Sequence, residues 1–396
     1  MVDLLKISLI FVLILFLLRK KLNIGYVMLI AAVALFLLYR MSFNLIWTTC
    51  KGAALNSATI KLILALSFIR IFEMILREHA VLTNMMQAVK TIFKNRKIVA
   101  ASMPLLIGLL PSIGGAYFSA PMVDEATRDT KMSLEEKGFI NYWLRHPWEY
   151  ILPLYPGILL VSAISKIELH NLITVNLSYA VFTTVTGFIF GMQRAKGVVK
   201  TEDKLSKEGI WSFIPIVAVL LLVVIFHVEL HYALIAVVIA LLFFYRYNLK
   251  AILSCLKHGF SLDVIVLILS VMLFKEAMEG SGAVKNVSQF FMKEGIPTLP
   301  ILFLLPFITG LLTGITIGFV GSTFPLILSI VGNTSIGAIS FAFASGFLGV
   351  LLSPVHICLV LTREYFKADL WGMYKMIIPA SLIVFCVAIV EYMILK

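Results

Sequence analysis

The sequence carries little charge. Of its 396 residues, 14% are Asp, Glu, Lys or Arg and 61% are hydrophobic. Soluble domains have roughly 25% charged residues, so this composition excludes an ordinary soluble protein and indicates an all-α polytopic membrane protein. Although the net charge is +12, nucleic acid is not an expected partner, because Lys and Arg gather in the cytoplasmic loops of membrane proteins.

Cysteines and catalytic motifs are also scarce. CxxC and Cys/His spacings are missing, so the sequence predicts no disulfide framework and no metal beyond a possible Na⁺ coupling ion. Without a Walker loop, ATP-driven pumping has no support. HExxH and GxSxG are absent too, so neither an enzyme nor a cofactor is expected, although a Ser112–His356 pair stays open. The four cysteines lie in or beside apolar runs: Cys50, Cys255, Cys358 and Cys386.

Two hydrophobic segments are interrupted in the same way. Residues 104–121 and 306–325 both contain Gly-Leu-Leu-x-x-Ile, followed by glycines and hydroxyls and then a proline. An unpaired backbone group in lipid costs several kcal/mol, so broken helices survive only inside protein or beside a water-filled cavity. A matched pair of such segments points to the binding site of a transporter. The alternative is close helix packing through small residues.

The apolar runs predict about ten transmembrane helices, since a crossing takes roughly 20 apolar residues. Segments 98–121 and 297–331 are predicted to be re-entrant hairpins, because full crossings would stop the flanking charges from alternating. With both termini outside, the cytoplasmic stretches hold 22 of the 33 Lys and Arg residues, as the positive-inside rule requires. The predicted spans are 3–18, 24–39, 58–76, 139–165, 170–192, 210–226, 229–245, 261–279, 335–362 and 374–394.

A polar cytoplasmic linker, 196–208, divides the chain into the halves 1–195 and 209–396. Each half has five predicted crossings and one hairpin, and an odd number of crossings places the second half upside down. The sequence therefore predicts two inverted repeats, as in many secondary transporters. The segments that lead into the hairpins, 81–95 and 283–294, have amphipathic spacing and are expected to lie along the membrane interface.

The predicted binding residues lie at the hairpin tips and at breaks in the spans that follow them. Glycine lets the backbone turn and lets a ligand approach it, half-helix N-termini suit an anion, and carbonyls and hydroxyls suit Na⁺. Prolines interrupt the spans 139–165 and 335–362. The candidate substrate- and ion-binding residues are Ser112, Ile113, Gly114, Gly115, Pro153, Tyr155, Thr313, Gly314, Thr316, Gly318, Gly321, Ser322, Thr323, Ser353 and His356.

Ionisable residues within spans are candidates for ion coupling, because charge is costly in lipid. His356 is predicted to be a ligand donor or proton acceptor, or else a neutral histidine bonded to a carbonyl. Glu73 and Glu276 are further candidates for proton coupling. Arg70 is expected to pair with Glu73 on one helical face.

Three more polar residues, Arg145, His146 and Glu149, stand near the predicted cytoplasmic start of the fourth span. There a structural His–Glu or Arg–Glu contact is expected rather than chemistry. Lys275 and Glu279, four apart on a helix, are expected to pair as well.

The run 109–125, Leu-Leu-Pro-Ser-Ile-Gly-Gly-Ala-Tyr-Phe-Ser-Ala-Pro-Met-Val-Asp-Glu, and the run 318–325, Gly-Phe-Val-Gly-Ser-Thr-Phe-Pro, resemble the ion-transporter superfamily. The chain is most similar to the prokaryotic "domain of unknown function 401" family and more distantly similar to gluconate permeases and divalent-anion/sodium symporters. The resemblance implies a homodimer in the cytoplasmic membrane that works by an elevator mechanism. The Ser-Asn-Thr triplet of the sodium-coupled symporters is missing, so dicarboxylate specificity is not carried over.

The expected function is a secondary active transporter that moves a small, carboxylate-type organic anion, coupled to Na⁺ or H⁺. The expected partners are this anionic solute, the lipid bilayer and a second copy of the chain. An ion or solute channel is the first alternative, and an intramembrane enzyme is the second.

Overall fold

The computed structural model describes residues 2–20, 22–111, 115–198, 207–283, 286, 289–290, 293–295, 297–331 and 335–395. The described part of the chain is almost wholly α-helical and contains no strand beyond an isolated bridge between Asn95 and Val198. The all-α prediction is confirmed.

The first half of the chain folds into helices joined by short turns. Several begin at a capping residue: the side chains of Asn23, Ser42 and Asn56 each accept a hydrogen bond from a backbone N–H two or three residues on, which satisfies one of the free amides of a helix start. The helices are α1 (Val2–Arg19), α2 (Ile24–Leu38), α3 (Phe43–Leu55), α4 (Ser57–Glu78), α5 (Val81–Ile92), α6 (Arg96–Gly108), α7 (Gly115–Ala126), α8 (Leu134–Trp143), α9 (Trp148–Ile151), α10 (Pro156–Ser165) and α11 (Leu169–Gly191).

The second half of the chain continues in the same manner after the linker. A π-helical turn, Leu221–Ile225, directly extends one of its helices. The helices are α12 (Lys207–Trp211), α13 (Ile214–Leu220), α14 (Leu230–Phe244), α15 (Leu249–Gly259), α16 (Leu262–Gly280), α17 (Thr298–Thr313), α18 (Thr316–Val331), α19 (Ile336–Leu352), α20 (Ile357–Phe366) and α21 (Leu370–Leu395).

Six stretches in the described residues are long and apolar enough to cross a membrane, and they correspond to six of the ten predicted spans. The other four predicted spans are also helices. Of these, α2 and α14 have 15 residues each, or about 22 Å, which is short of the roughly 30 Å hydrocarbon core. Helices α1 and α4 instead carry several charged residues. The six stretches are Leu134–Ser165, Leu169–Gly191, Lys207–Ile225, Leu249–Gly280, Ile336–Phe366 and Leu370–Leu395.

Each of the two glycine-bearing segments forms a pair of short helices that pack against each other, α6 with α7 and α17 with α18. These helices have 12 to 16 residues, so they are about 18–24 Å long and shorter than the hydrocarbon core. The second pair turns at Gly314, whose φ of 63° lies in the left-handed region that glycine adopts readily. In the first pair, residues 112–114 of the predicted tip lie outside the described residues.

Both spans that follow these pairs are broken where the prolines predicted a break. The first stops at Trp143, resumes as the single turn α9, and stops again before α10 begins at Pro156. The second stops at Leu352 and resumes at Ile357, with Pro354 between them. Proline cannot donate the next helical hydrogen bond, so each break leaves backbone carbonyls that need other partners.

Glycines allow the helix pairs to lie directly on the broken spans. A Cβ at Gly310 of α17 would come within 3.0 Å of the Gly346 carbonyl oxygen of α19, a separation that real Cβ atoms essentially never show. A Cβ at Gly349 would meet the Phe307 carbonyl oxygen in the same way. These glycines therefore bring the backbones of α17 and α19 into contact, as small residues do between membrane helices.

The start of the predicted linker is attached to the start of α6. The Arg96 guanidinium donates hydrogen bonds to the carbonyls of Lys196 and Val198. Residues 199–206 and much of 283–294 lie outside the described residues. The division into the halves 1–195 and 209–396, and the placement of both lead-in segments, stay predictions.

Candidate functional site

The two helix breaks meet inside the protein. His146 lies in the first break and His356 lies in the second, 210 residues later, and their Nε2 atoms are 3.1 Å apart. The two side chains are 0% and 6% exposed. His356 was a predicted site residue, whereas His146 was expected to make only a structural contact.

Hydrogen bonds to the main chain determine which ring nitrogens carry the protons. The Nδ1 atom of His146 lies 2.6 Å from the Tyr142 carbonyl oxygen, and the Nδ1 atom of His356 lies 2.8 Å from the Gly314 carbonyl oxygen. Because a carbonyl oxygen only accepts, both Nδ1 atoms are donors. In the neutral rings, each Nε2 atom therefore carries a lone pair, and the two lone pairs meet in the 3.1 Å between the rings.

A carboxylate and a hydroxyl extend this pair. The Thr316 hydroxyl, at the first residue of α18, donates to Glu149 Oε2 over 2.9 Å. The other oxygen of Glu149 lies 3.8 Å from His146 Nε2. One of the two predicted alternatives, a His146–Glu149 contact, is thus present. It joins a fully buried histidine to a carboxylate side chain that is 14% exposed, and it lies beside His356 and against α18.

A cysteine completes the group. The Sγ atom of Cys358 and one ring nitrogen from each of His146 and His356 lie within 4.8 Å of one another, and all three residues are buried. No local motif indicated this arrangement, because its members are far apart in sequence. The one available signal was that His356 and Cys358 stand two residues apart at a helix break, which is not one of the usual spacings of zinc ligands.

Side chains of the first break also hold the end of α6. Trp148 Nε1 donates to the Leu105 carbonyl oxygen over 2.7 Å, and the Tyr155 hydroxyl donates to the Gly108 carbonyl oxygen over 2.6 Å. These carbonyls belong to the last turn of α6, where no helical partner exists. Gly108 itself packs on the Arg145 carbonyl, so α6 ends directly against the break.

Four of the predicted site residues, besides His356, lie at this junction. They include Gly314, whose Cβ position is 3.1 Å from Ser353 Oγ, and Thr316, which also packs against Gly157 of α10. A further predicted residue, Pro153, is buried in the first break itself, two residues before Tyr155. The predicted residues that the structure brings to the two breaks are Tyr155, Gly314, Thr316, Ser353 and His356.

Hydroxyls further along the second hairpin bond within their own helices. Thr313 donates to Thr309, and Ser322 and Thr323 donate to Gly318 and Phe319. The remaining predicted glycines have packing roles: Gly318 faces Thr313, Gly321 faces Val271, and Gly115 begins α7. Their role in ligand binding stays a prediction, and Ser112, Ile113 and Gly114 lie outside the described residues.

The two glutamates proposed for coupling have basic partners of their own. Glu73 pairs with Arg77, four residues on, at 2.6 Å. The expected pairing of Glu73 with Arg70 was wrong, because the i,i+4 neighbour lies closer to the carboxylate. Glu276 lies 3.4 Å from Lys275 Nζ, and the predicted pair of Lys275 and Glu279 is confirmed at 3.1 Å.

A second buried network, missed in the sequence, joins three helices next to the site. Asn141 of α8 accepts a hydrogen bond from the Ser119 hydroxyl of α7 and donates to the Ala116 carbonyl and to the Thr362 hydroxyl of α20. All its side chains are fully buried. The only signal in the sequence was an asparagine in the apolar second half of α8, since a polar side chain in such a place usually needs partners in a membrane.

The chain belongs to the family described as "Protein of unknown function (DUF401)", which matches it over residues 2–395. The predicted resemblance to this family is confirmed. No curated protein matches the chain.

Proposed function

We propose that this DUF401 protein is a secondary active transporter that moves a small, carboxylate-type organic anion across a membrane, coupled to Na⁺ or H⁺. The observation that carries the proposal is the meeting of two broken helices at His146 and His356. Broken helices are tolerated in a bilayer where they are buried in protein or line a cavity, and in transporters such places are the binding sites.

The chemistry around the breaks supports an anionic solute. Three helices begin there, α10 at Pro156, α18 at Thr316 and α20 at Ile357. The free amides and the positive end of the dipole at a helix N-terminus favour a negative group. A carboxylate that reached this junction would find several such ends around it.

The finer architecture is part of the same proposal. The two short helix pairs are re-entrant hairpins, and the halves 1–195 and 209–396 are inverted repeats with both termini outside. Two copies form a homodimer in the cytoplasmic membrane of a prokaryote, and an elevator motion carries the site across. This arrangement would relate the family to the ion-transporter superfamily, including gluconate permeases and divalent-anion/sodium symporters.

Access to the site requires movement. The packing of Thr316 against Gly157 closes α18 onto α10, and the histidines are buried. A solute therefore enters only when the hairpin and the broken helix separate, as alternating access requires. His356, Glu73 and Glu276 remain the candidates for proton coupling.

The test begins with substrate identification. Binding to the folded state raises apparent stability by mass action, so purified protein is screened by thermal shift against mono-, di- and tricarboxylates, with and without Na⁺. Uptake and counterflow of the carboxylate that gives the largest shift are then measured in proteoliposomes. Saturable counterflow supports transport, whereas unsaturable conductance would favour the channel.

A matched pair of variants places the solute path. Thr316→Val removes the hydroxyl that donates to Glu149, and Thr184→Val, also at a half-buried position, removes a hydroxyl that bonds only within α11. A hydrogen bond to a charged group is worth about 1.5–3 kcal/mol, so uptake should fall about tenfold or more in the first variant and little in the second. If both variants fold and uptake falls equally in both, the solute does not pass through the junction of the two breaks.

A further inference from the structure

We propose that His146, His356 and Cys358, together with Glu149, bind one divalent transition-metal ion of the zinc class. The site lies where the two helix breaks meet: the first break supplies His146 and Glu149, the second supplies His356, and the first turn of α20 supplies Cys358. This inference concerns ion binding by the folded protein and does not depend on the transport proposal.

The spacing of the two histidines fits a shared ion. Both Nδ1 atoms donate to carbonyls, so two Nε2 lone pairs face each other over 3.1 Å. Such a pair of acceptors repels unless a positive particle lies between them. In a tetrahedral site with Zn–N bonds of 2.0–2.1 Å, the two nitrogens lie about 3.3 Å apart, close to the observed separation.

The hydrogen bonds that the two rings make through Nδ1 are those expected of metal-binding histidines. A histidine that binds a metal almost always donates its other ring N–H to a carboxylate, a backbone carbonyl or water, which orients the ring and selects its tautomer. Both rings meet this condition through Tyr142 and Gly314. Thr316 does the same for the carboxylate of Glu149, since it bonds one oxygen and leaves the other towards His146.

The donor set selects the class of ion. Thiolate and imidazole suit Zn²⁺ and other first-row transition metals, whereas Mg²⁺ and Ca²⁺ prefer oxygen ligands. On binding, Cys358 gives its thiol proton to solvent, as thiol ligands do. One thiolate and one carboxylate then offset the two charges of the ion, and the buried Arg145 guanidinium lies close to the same four side chains.

A shared proton is the competing explanation for the close rings. One ring would then be an imidazolium whose Nε2–H donates to the other Nε2, next to the carboxylate of Glu149. In this case the Cys358 thiol would hydrogen-bond to His146, and no metal ligand would be needed. A metal ion instead brings together His146, His356 and Cys358, whose ligand atoms lie within 4.8 Å of one another, with Glu149 beside His146.

Cobalt titration of the full-length protein in detergent tests the proposal. The protein is stripped with a chelator and titrated with Co²⁺, which reports thiolate ligation by a charge-transfer band in the near ultraviolet. We expect one Co²⁺ per chain, displaced by Zn²⁺ and not by Mg²⁺. Cys358→Ser should abolish the band, and His356→Gln should weaken binding by more than the roughly 10–100-fold that outer-shell changes cost.

Cys255→Ser is the matched control, since Cys255 is another buried cysteine and lies on α15, outside the group. It should keep the band and the affinity. If Cys358→Ser does not fold, X-ray absorption of the zinc-loaded wild-type protein decides, with one sulfur at about 2.3 Å and two nitrogens at about 2.0–2.1 Å expected. Folded wild-type protein that binds neither Co²⁺ nor Zn²⁺, or an unchanged band in Cys358→Ser, would overturn the proposal and leave the shared proton.

Discussion

The two helix breaks hold their hairpins in different ways. In the first, Trp148 and Tyr155 reach out to the carbonyls of Leu105 and Gly108 at the end of α6. In the second, the ring of His356 reaches out to Gly314 at the end of α17. Both breaks thus satisfy carbonyls that a helix end leaves free, but only the second does so with a side chain that is also a ligand of the proposed metal site.

The difference shows how the chemistry is divided. The first break is longer, contains the extra turn α9, and carries Glu149. The second is short, and His356 is the one titratable side chain between Leu352 and Ile357. The structural contacts of the first break are therefore separable from its polar group, whereas in the second break His356 serves both.

The largest expected loss of stability comes from adding a side chain to the glycine at each contact. A Cβ at Gly314 would lie 2.9 Å from His356 Cα, and one at Gly108 would meet the Arg145 carbonyl oxygen within 3.0 Å. Overpacking costs about 1–3 kcal/mol, and Gly314→Ala adds about 1–2 kcal/mol for its left-handed backbone. Apparent melting temperatures should fall in both variants, and further in Gly314→Ala.

Gly52→Ala is the control for this pair, since the nearest atom to its Cβ position is 4.0 Å away. Its melting temperature should stay close to that of the wild type. A wild-type melting temperature for Gly314→Ala would mean that the second break is not closely packed against its hairpin.

A smaller effect is expected from the network beside both breaks. Asn141→Leu removes the side chain that links α7, α8 and α20. It leaves the buried Thr362 hydroxyl without the amide that donates to it, whereas Ser119 keeps its hydrogen bonds to two backbone carbonyls of α7. A buried unsatisfied group costs about 1–3 kcal/mol, to be measured by thermal unfolding in detergent. Asn171→Leu, on the exposed face of α11, should change stability little, and equal losses in both variants would argue against the network.

The smallest loss of stability is expected from the hydrogen bond between Tyr155 and Gly108 in the first break. Tyr155→Phe removes the hydroxyl bonded to Gly108 and keeps the ring, so stability should fall by about 0.5–1.5 kcal/mol. The affinity for Co²⁺ should not change, because Tyr155 is not a ligand. Tyr26→Phe at an exposed position is the control, and a large loss of Co²⁺ affinity in Tyr155→Phe would show that the two functions of the first break are not separable.

The local features of the chain were predictable from the sequence. Its lack of charge indicated a membrane protein, and its glycines and prolines predicted both helix pairs and both broken spans. These residues act on their own backbone: proline removes a donor and glycine permits a left-handed turn at Gly314. Such effects need no knowledge of distant parts of the chain.

Only the tertiary structure decided which side chains share a site. His146 was expected to make an ordinary structural contact and Cys358 to be a small hydrophobic residue, yet they meet His356 in a buried group. Asn141 likewise finds Thr362, 221 residues away. The partner of a buried polar group depends on which helices pack together, and that is determined by contacts summed over the whole fold rather than by the residues beside it in the chain.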